Sequence, residues 1–124
     1  MISNDMEIML YVDNVTTSKM FWEALGFVTI DVQELDGTMV VEIAPSQDAE
    51  VHFVLYERSF IETYSPEVAT NSPSVMFQTK NIEAFYRKLL TLDVEVGELI
   101  QLDDSKLLNF ADPDGNYYAI KSHN

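Results

Sequence analysis

The chain of 124 residues is long enough for one domain with a sizeable core, and its 47% hydrophobic content excludes a disordered protein. It has no cysteine, which excludes disulfides, thiolate zinc sites and a cysteine nucleophile. Seven basic and 21 acidic residues give a net charge of −14, which disfavours nucleic acid and anionic membranes as partners. This charge is compatible with a cationic ligand, and equally with a surface that only maintains solubility.

The sequence carries no targeting or membrane signal. No run approaches the ~18 apolar residues that a membrane span needs. The first residues, Met1-Ile2-Ser3-Asn4-Asp5, have neither the basic region nor the apolar stretch of a signal peptide. We therefore expect a cytoplasmic protein.

The first half of the chain predicts a strand, a short helix and three more strands. Glu7–Val12 alternates between two faces, which is typical of a half-buried strand. Thr16, Thr17 and Ser18 offer helix caps, and apolar residues then recur at helical spacing until Gly26 ends the helix. Further strands are predicted over residues 27–32, 38–43 and 51–56, with a turn at residues 35–37.

The second half predicts the same order of elements. Residues 57–72 form a connector with a helical turn near Phe60, and a strand follows over residues 75–79. Asn81 caps a helix over residues 82–90, and short strands are predicted at 94–96, 98–102, 106–110 and 117–120. The last two pair across Asp112-Pro113-Asp114-Gly115, where proline presets φ, the Asp side chains bond nearby backbone and glycine accepts a positive φ.

The repeated order βαβββ predicts an α+β fold. We expect one domain over residues 1–124, with module one at about 5–60 and module two at about 72–122. If both mixed sheets curve, the faces opposite their helices enclose a cleft, and any ligand belongs there.

Three motifs give the chain a family resemblance. They are Val12-Asp13-Asn14 with Phe21-Trp22-Glu23-Ala24-Leu25-Gly26-Phe27, Asn81-Ile82-Glu83-Ala84-Phe85-Tyr86, and Phe110-Ala111-Asp112-Pro113-Asp114-Gly115-Asn116. Their order and spacing resemble the vicinal oxygen chelate superfamily, which includes glyoxalase I, fosfomycin-resistance transferases, extradiol dioxygenases and bleomycin-resistance binding proteins. The resemblance implies curved mixed sheets around a cleft and a homodimer. The modules pair either within one chain or between chains.

Family enzymes hold a metal in this cleft, and the resemblance locates the corresponding positions. Counting from Asn14, Asn81 and Gly115 gives Glu7, Ser74 and Ala119, and the fourth position is His52, Phe53 or Val54. A divalent metal needs three or four oxygen or nitrogen ligands. Alanine offers none and serine offers only a neutral hydroxyl, so we expect no metal and no cofactor.

The resemblance and the strand alternation together predict a set of residues that line the cleft. The set is Glu7, Met9, Tyr11, His52, Ser74, Met76, Gln78, Tyr117 and Ala119. Glu7 is either a ligand-binding carboxylate or a solvated strand end, and His52 either faces the cleft or points outward. The methionines and tyrosines either line a pocket for a flat apolar molecule or simply fill it. On the first helix we expect Phe21 in the core and Trp22 partly buried.

These observations predict a small-molecule binding protein of the bleomycin-resistance type, a candidate for antibiotic resistance. It would sequester or sense a cationic or aromatic compound without transforming it, so no catalytic residue is predicted. One alternative is a metal-dependent lyase, isomerase or dioxygenase whose metal site has moved onto Glu7 and His52. A third hypothesis is an interaction module whose cleft is filled. The sequence does not identify the ligand.

Overall fold

A computed structural model describes residues 1–123. The chain divides into two compact units, Met1–Ser72 and a second that begins at Pro73. Each contains one four-stranded mixed sheet and repeats the order βαβββ, which confirms the α+β class predicted from the sequence. Within residues 1–123, no helix is both long enough and apolar enough to cross a bilayer.

The first unit contains four strands and two helices. The elements are β1 (Met6–Val12), α1 (Val15–Ala24), β2 (Val28–Leu35), β3 (Thr38–Ala44), β4 (Val51–Glu57) and α2 (Arg58–Tyr64). The strand order is β1-β4-β3-β2, with β1 parallel to β4 and the other neighbours antiparallel. The β2–β3 hairpin turns through Asp36 and Gly37, which both have positive φ, as a two-residue turn matched to strand twist requires.

The core of the first unit lies between one face of this sheet and α1. Alternate residues of β1, β3 and β4 are buried there, including Leu10, Ile43 and Phe53. Trp22 is only 1% exposed, and its ring centroid lies 5.1 Å from Phe21 and 5.7 Å from Phe53. The expectation of a partly buried Trp22 was therefore wrong, because aromatic rings from β4 and from the end of α1 enclose it.

The cap of α1 also differs from the prediction. Asn14, not a residue of Thr16–Ser18, is the N-cap, and its side chain accepts a hydrogen bond from the Thr17 backbone N–H at 2.9 Å. Ser18 lies within the helix and is buried. Gly26 follows the C-cap with φ +103°, which confirms that it ends the helix.

The second unit is shorter. Its elements are β5 (Met76–Gln78), α3 (Ile82–Leu89), β6 (Ile100–Gln101), β7 (Ser105–Ala111) and β8 (Tyr117–His123), in the order β5-β8-β7-β6. Asn81 caps α3 by accepting from the Ala84 backbone N–H, as predicted. The strand predicted at residues 94–96 was wrong, because only Val96 makes a bridge, to Phe110.

The turn between β7 and β8 forms as its sequence indicates. The Asp112 carboxylate accepts hydrogen bonds from the backbone N–H groups of Asp114 at 3.0 Å and Asn116 at 2.9 Å. Gly115 has φ +82° and donates its N–H to the Asp112 carbonyl. Burial raises the pKa of the Asp112 carboxyl, and these backbone donors oppose that effect.

Candidate functional site

The register of β1 and β4 decides which residues share the sheet face opposite α1. Glu7 pairs with His52, Met9 with Val54 and Tyr11 with Tyr56. Paired residues of neighbouring strands point to the same face, and successive residues alternate. The structure therefore brings Glu7, Met9, Tyr11 and His52 together on one face, while Phe53 packs on the α1 side.

His52 is held by hydrogen bonds at both ring nitrogens. Nδ1 lies 2.5 Å from a carboxylate oxygen of Glu42 on β3, and Nε2 lies 2.8 Å from the backbone carbonyl of Ala49. The bond to Glu42 and the bond to Ala49 raise the pKa of His52, and the nearby Glu7 carboxylate acts in the same direction. Because an ionised carboxylate and a carbonyl oxygen only accept hydrogen bonds, this geometry favours an imidazolium that donates from both nitrogens.

An acidic pocket of about 570 Å³ opens beside His52. It lies entirely within the first unit, at the start of β1 and β4 and along the loop that joins β3 to β4. The lining residues are Asp5, Met6, Glu7, Glu42, Gln47, Asp48, Ala49, Glu50 and His52. Five of the nine are carboxylates, and His52 is the only lining residue that can carry a positive charge, so the pocket attracts cations.

An apolar and aromatic strip continues from this pocket along the same two strands. Met9 is 51% exposed, and the Tyr11 hydroxyl donates to its sulfur at 3.7 Å. The rings of Tyr11 and Tyr56 lie side by side with centroids 5.9 Å apart. At ~3.3 Å per residue, Tyr11 is roughly 13 Å along β1 from Glu7. One sheet face thus offers carboxylates at one end and aromatic rings at the other.

The connection from β4 into α2 fixes the aromatic end of β1. Arg58 donates to the backbone carbonyl of Tyr11 at 2.8 Å and pairs with the Asp13 carboxylate. Glu57 accepts a hydrogen bond from the Val15 backbone N–H at 3.1 Å, at the start of α1. These contacts tie the end of β1 and the start of α1 to the junction of β4 and α2, so they fix the position of the Tyr11 backbone.

The second unit places its predicted site residues in or beside its own sheet. Met76 pairs with Ala119 on β8, so these two residues and Gln78 share the sheet face opposite α3. Tyr117 lies on the same face of β8, is 57% exposed, and donates its hydroxyl to the Glu95 carboxylate. That hydrogen bond raises the pKa of the Tyr117 hydroxyl. Ser74 precedes β5 and is exposed.

The donor chemistry of these residues does not fit a divalent metal. Ala119 has no donor atom, and Ser74 supplies only a neutral hydroxyl. Both ring nitrogens of His52 already face hydrogen-bond acceptors, so ligation would require breaking one of these bonds. Within residues 1–123, no three His, Cys, Asp or Glu side chains are grouped as a metal site requires.

The sequence did not predict several residues of the pocket. Glu42 and the loop residues Asp48 and Glu50 line it, and Tyr56 completes the aromatic pair. The alternation in β3 offered a signal for Glu42, because it lies between buried Val41 and Ile43 and must face away from α1.

Comparisons with known proteins place this chain in a family. A family model described as "Glyoxalase/Bleomycin resistance protein/Dioxygenase superfamily" matches residues 6–120. No curated protein matches the chain.

Solved structures of several proteins share its fold. TnmS3, an antibiotic binding protein from Streptomyces sp. CB03234, is 22% identical with a TM-score of 0.79, over 99% of this chain and 98% of that one. A superfamily member from Sphaerobacter thermophilus is 20% identical with a TM-score of 0.76, over 98% of both chains. Lactoylglutathione lyase from Agrobacterium tumefaciens is 16% identical with a TM-score of 0.73, over 98% of this chain and 95% of that one. The family model covers both βαβββ units and all three sequence motifs, and the chain therefore belongs to the glyoxalase/bleomycin resistance protein/dioxygenase superfamily.

Proposed function

We propose that this protein binds a small molecule with a cationic group and a flat aromatic group, without a metal and without transforming it. The observation that carries the proposal is the single sheet face that joins the acidic pocket to the Met9, Tyr11 and Tyr56 strip. A cation beside Glu7 and a ring on the two tyrosines would be separated by roughly 13 Å. Aromatic faces and a methionine sulfur suit a flat, polarizable ligand.

The distribution of charge supports a cationic ligand in the first unit. Residues 1–72 contain 13 acidic and two basic residues, a net charge of −11. The remaining residues contain eight acidic and five basic residues, a net charge of −3. The first unit therefore carries most of the net negative charge, and the five carboxylates that line the pocket would raise the local concentration of cations.

The side chains on this face favour binding over catalysis. His52 has no free ring nitrogen to accept a proton, because both nitrogens are hydrogen bonded. The Tyr11 hydroxyl donates to a methionine sulfur, not to a base that could activate it. TnmS3 is an antibiotic binding protein, and we extend that class of ligand to this chain. Sequestration of an antibiotic is one use of such binding.

We also propose that the protein is a homodimer, as the family resemblance implies. Size-exclusion chromatography with light scattering would then give twice the chain mass of 14.2 kDa. A mass of one chain at micromolar concentration would contradict this part of the proposal.

The proposal is tested by an NMR titration of chelator-treated protein. The probes are metal-free bleomycin and an acridine that carries an alkylammonium chain, with the uncharged acridine as the control. We expect saturable shifts at the amides of Glu7, Met9, Tyr11 and Tyr56, with weaker binding of the uncharged probe and at higher salt. Binding that requires an added metal, or shifts that map away from this face for every probe, would contradict the proposal.

Two matched pairs of variants locate the ligand. Glu7→Gln should lower the affinity for the charged acridine by about two- to fivefold, the range of an exposed ion pair. Glu34→Gln removes the same charge outside the pocket and should leave that affinity unchanged. Tyr56→Leu should lower the affinity for both acridines by about fivefold or more, because the contacts between rings are lost. Tyr64→Leu, at an exposed tyrosine on α2, is its control.

A further inference from the structure

The loop between β3 and β4 forms one wall of the acidic pocket, and few bonds hold it there. This loop, residues 45–50, contributes Gln47, Asp48, Ala49 and Glu50 to the lining. Its backbone contacts are the Ala49 N–H to the Ser46 carbonyl at 3.3 Å and the Met6 N–H to the Glu50 carbonyl at 2.9 Å. Besides these, the ring of His52 donates to the Ala49 carbonyl at 2.8 Å.

We propose that His52 is a protonated latch that holds the loop of residues 45–50 in its pocket-forming position. The ring bridges two acceptors, the Glu42 carboxylate on β3 and the Ala49 carbonyl in the loop. A neutral imidazole has only one N–H, so it can satisfy one of these acceptors and must turn a lone pair toward the other. Both bonds exist together only when the ring carries its proton.

The surroundings of the ring favour the proton. The titratable groups that face His52 are Glu42 from β3, Glu7 from β1, and Asp5, Asp48 and Glu50 from the segments around the pocket. All five are acidic, and the pocket lining contains no lysine or arginine. The hydrogen bonds to Glu42 and Ala49, with the charges of Glu42 and Glu7, raise the pKa of His52 and stabilise the imidazolium.

The latch deepens the proposed function, because it makes the shape of the binding pocket depend on pH. Below the folded pKa of His52 the loop is tied to β3 and β4 through the ring. Above that pKa the neutral ring keeps its single N–H on Nδ1, facing the Glu42 carboxylate, which is a stronger acceptor than a carbonyl. The bond from Nε2 to the Ala49 carbonyl is then lost, and the loop is released. His52 is thus a positioning residue of the pocket, and it does this in the ligand-free protein.

The first experiment detects the proton directly. In a pH titration of chelator-treated, ligand-free protein followed by ¹⁵N NMR, we expect the His52 ring to keep both nitrogens protonated to a higher pH than an unperturbed histidine. The His123→Gln variant assigns the signals, because it removes the second of two histidines. A ring that loses its second proton at or below the pH expected for an unperturbed histidine would overturn the proposal.

The second experiment measures the loop. Protection factors for the Met6 and Ala49 amides, corrected for intrinsic exchange, should fall about tenfold as the pH rises through the His52 pKa, the range of one part-exposed charged hydrogen bond. His52→Leu should show the low protection factors at every pH, while His123→Leu should show the same pH dependence as wild type. Glu42→Gln keeps an acceptor but removes the charge, so it should move the transition to lower pH. Protection that depends on neither pH nor His52 would overturn the proposal.

The two proposals fail in different ways. The exchange and NMR measurements need no ligand, so they test the latch even if no acridine or bleomycin binds. Amide protection at the centre of β4 reports whether His52→Leu is folded. If that protection is lost, Glu42→Gln and the pH series on wild-type protein still decide the outcome.

Discussion

Phe53 lies on the core face of β4, opposite the face that carries His52. Truncation of its side chain tests this assignment of the two faces. The side chain is 3% exposed, is stacked on Phe27 with centroids 5.6 Å apart, and meets Trp22 edge to face at 5.7 Å. Truncation of a buried phenylalanine to alanine costs about 3–5 kcal/mol, which includes the cavity that it leaves. Aromatic pairs add ~0.5–1.5 kcal/mol each, so Phe53→Ala should fall in the upper part of that range.

The assay is equilibrium denaturation by urea, with the thermal midpoint as a second measure. For a chain of this length about 1 kcal/mol corresponds to roughly 3–5 °C, so the midpoint should fall by about 12–25 °C. Phe53→Leu, which costs about 1–2 kcal/mol, keeps the test informative if Phe53→Ala does not fold. Met9→Ala on the opposite face, at a side chain that is 51% exposed, should change stability by no more than about 0.5 kcal/mol. Equal losses for Phe53→Ala and Met9→Ala would refute the face assignment.

Three further substitutions or conditions have defined outcomes. Asp112→Ala should cost about 1–2 kcal/mol in urea denaturation, because the backbone N–H groups of Asp114 and Asn116 lose their acceptor; an unchanged midpoint would contradict this role. Gly115→Ala should cost about 1 kcal/mol, since its φ is +82° and a Cβ there meets no atom within 4 Å; a loss above ~3 kcal/mol would show a steric clash instead. His52→Gln should be more destabilising near pH 6 than near pH 9. A histidine whose pKa rises on folding contributes its full stabilisation at pH values below its pKa in the unfolded chain, ordinarily 6.5. That stabilisation is lost as the pH rises through the pKa of the folded protein. If the free energies of unfolding of wild type and His52→Gln differed by the same amount at both pH values, that linkage would be contradicted.

Local sequence was sufficient for most of the elements, though not for the strand predicted at residues 94–96, and for two of the boundaries. The Asp112–Gly115 turn and the Asn81 cap follow from side chains that bond backbone within four residues. The α1 cap was missed because Asn14, Thr16, Thr17 and Ser18 are four residues of capping type within five positions, and only the helix geometry selects Asn14. Trp22 was misjudged because Phe53, 31 positions away, supplies part of its enclosure.

The candidate site depends on pairings that no local pattern contains. Alternation in β1 put Glu7, Met9 and Tyr11 on one face, but it could not say which residue of β4 lies beside Glu7. The parallel register joins residues 45 positions apart, and it selects His52. The bond from His52 to Glu42 needs the β3–β4 register as well.

The central claim is that this site binds its small molecule without a metal. Metal titration of the chelator-stripped protein tests it most directly. The thermal midpoint is measured with Ni²⁺, Mn²⁺, Zn²⁺ and Fe²⁺, with Mg²⁺ at matched ionic strength, and with Glu7→Gln as the control variant. We expect a small response shared by all divalent ions and unchanged in Glu7→Gln, as relief of acidic repulsion predicts. A single transition metal at about 100 times its Kd that adds about 2.7 kcal/mol, roughly 8–14 °C, and does so only while Glu7 is present, would contradict the account.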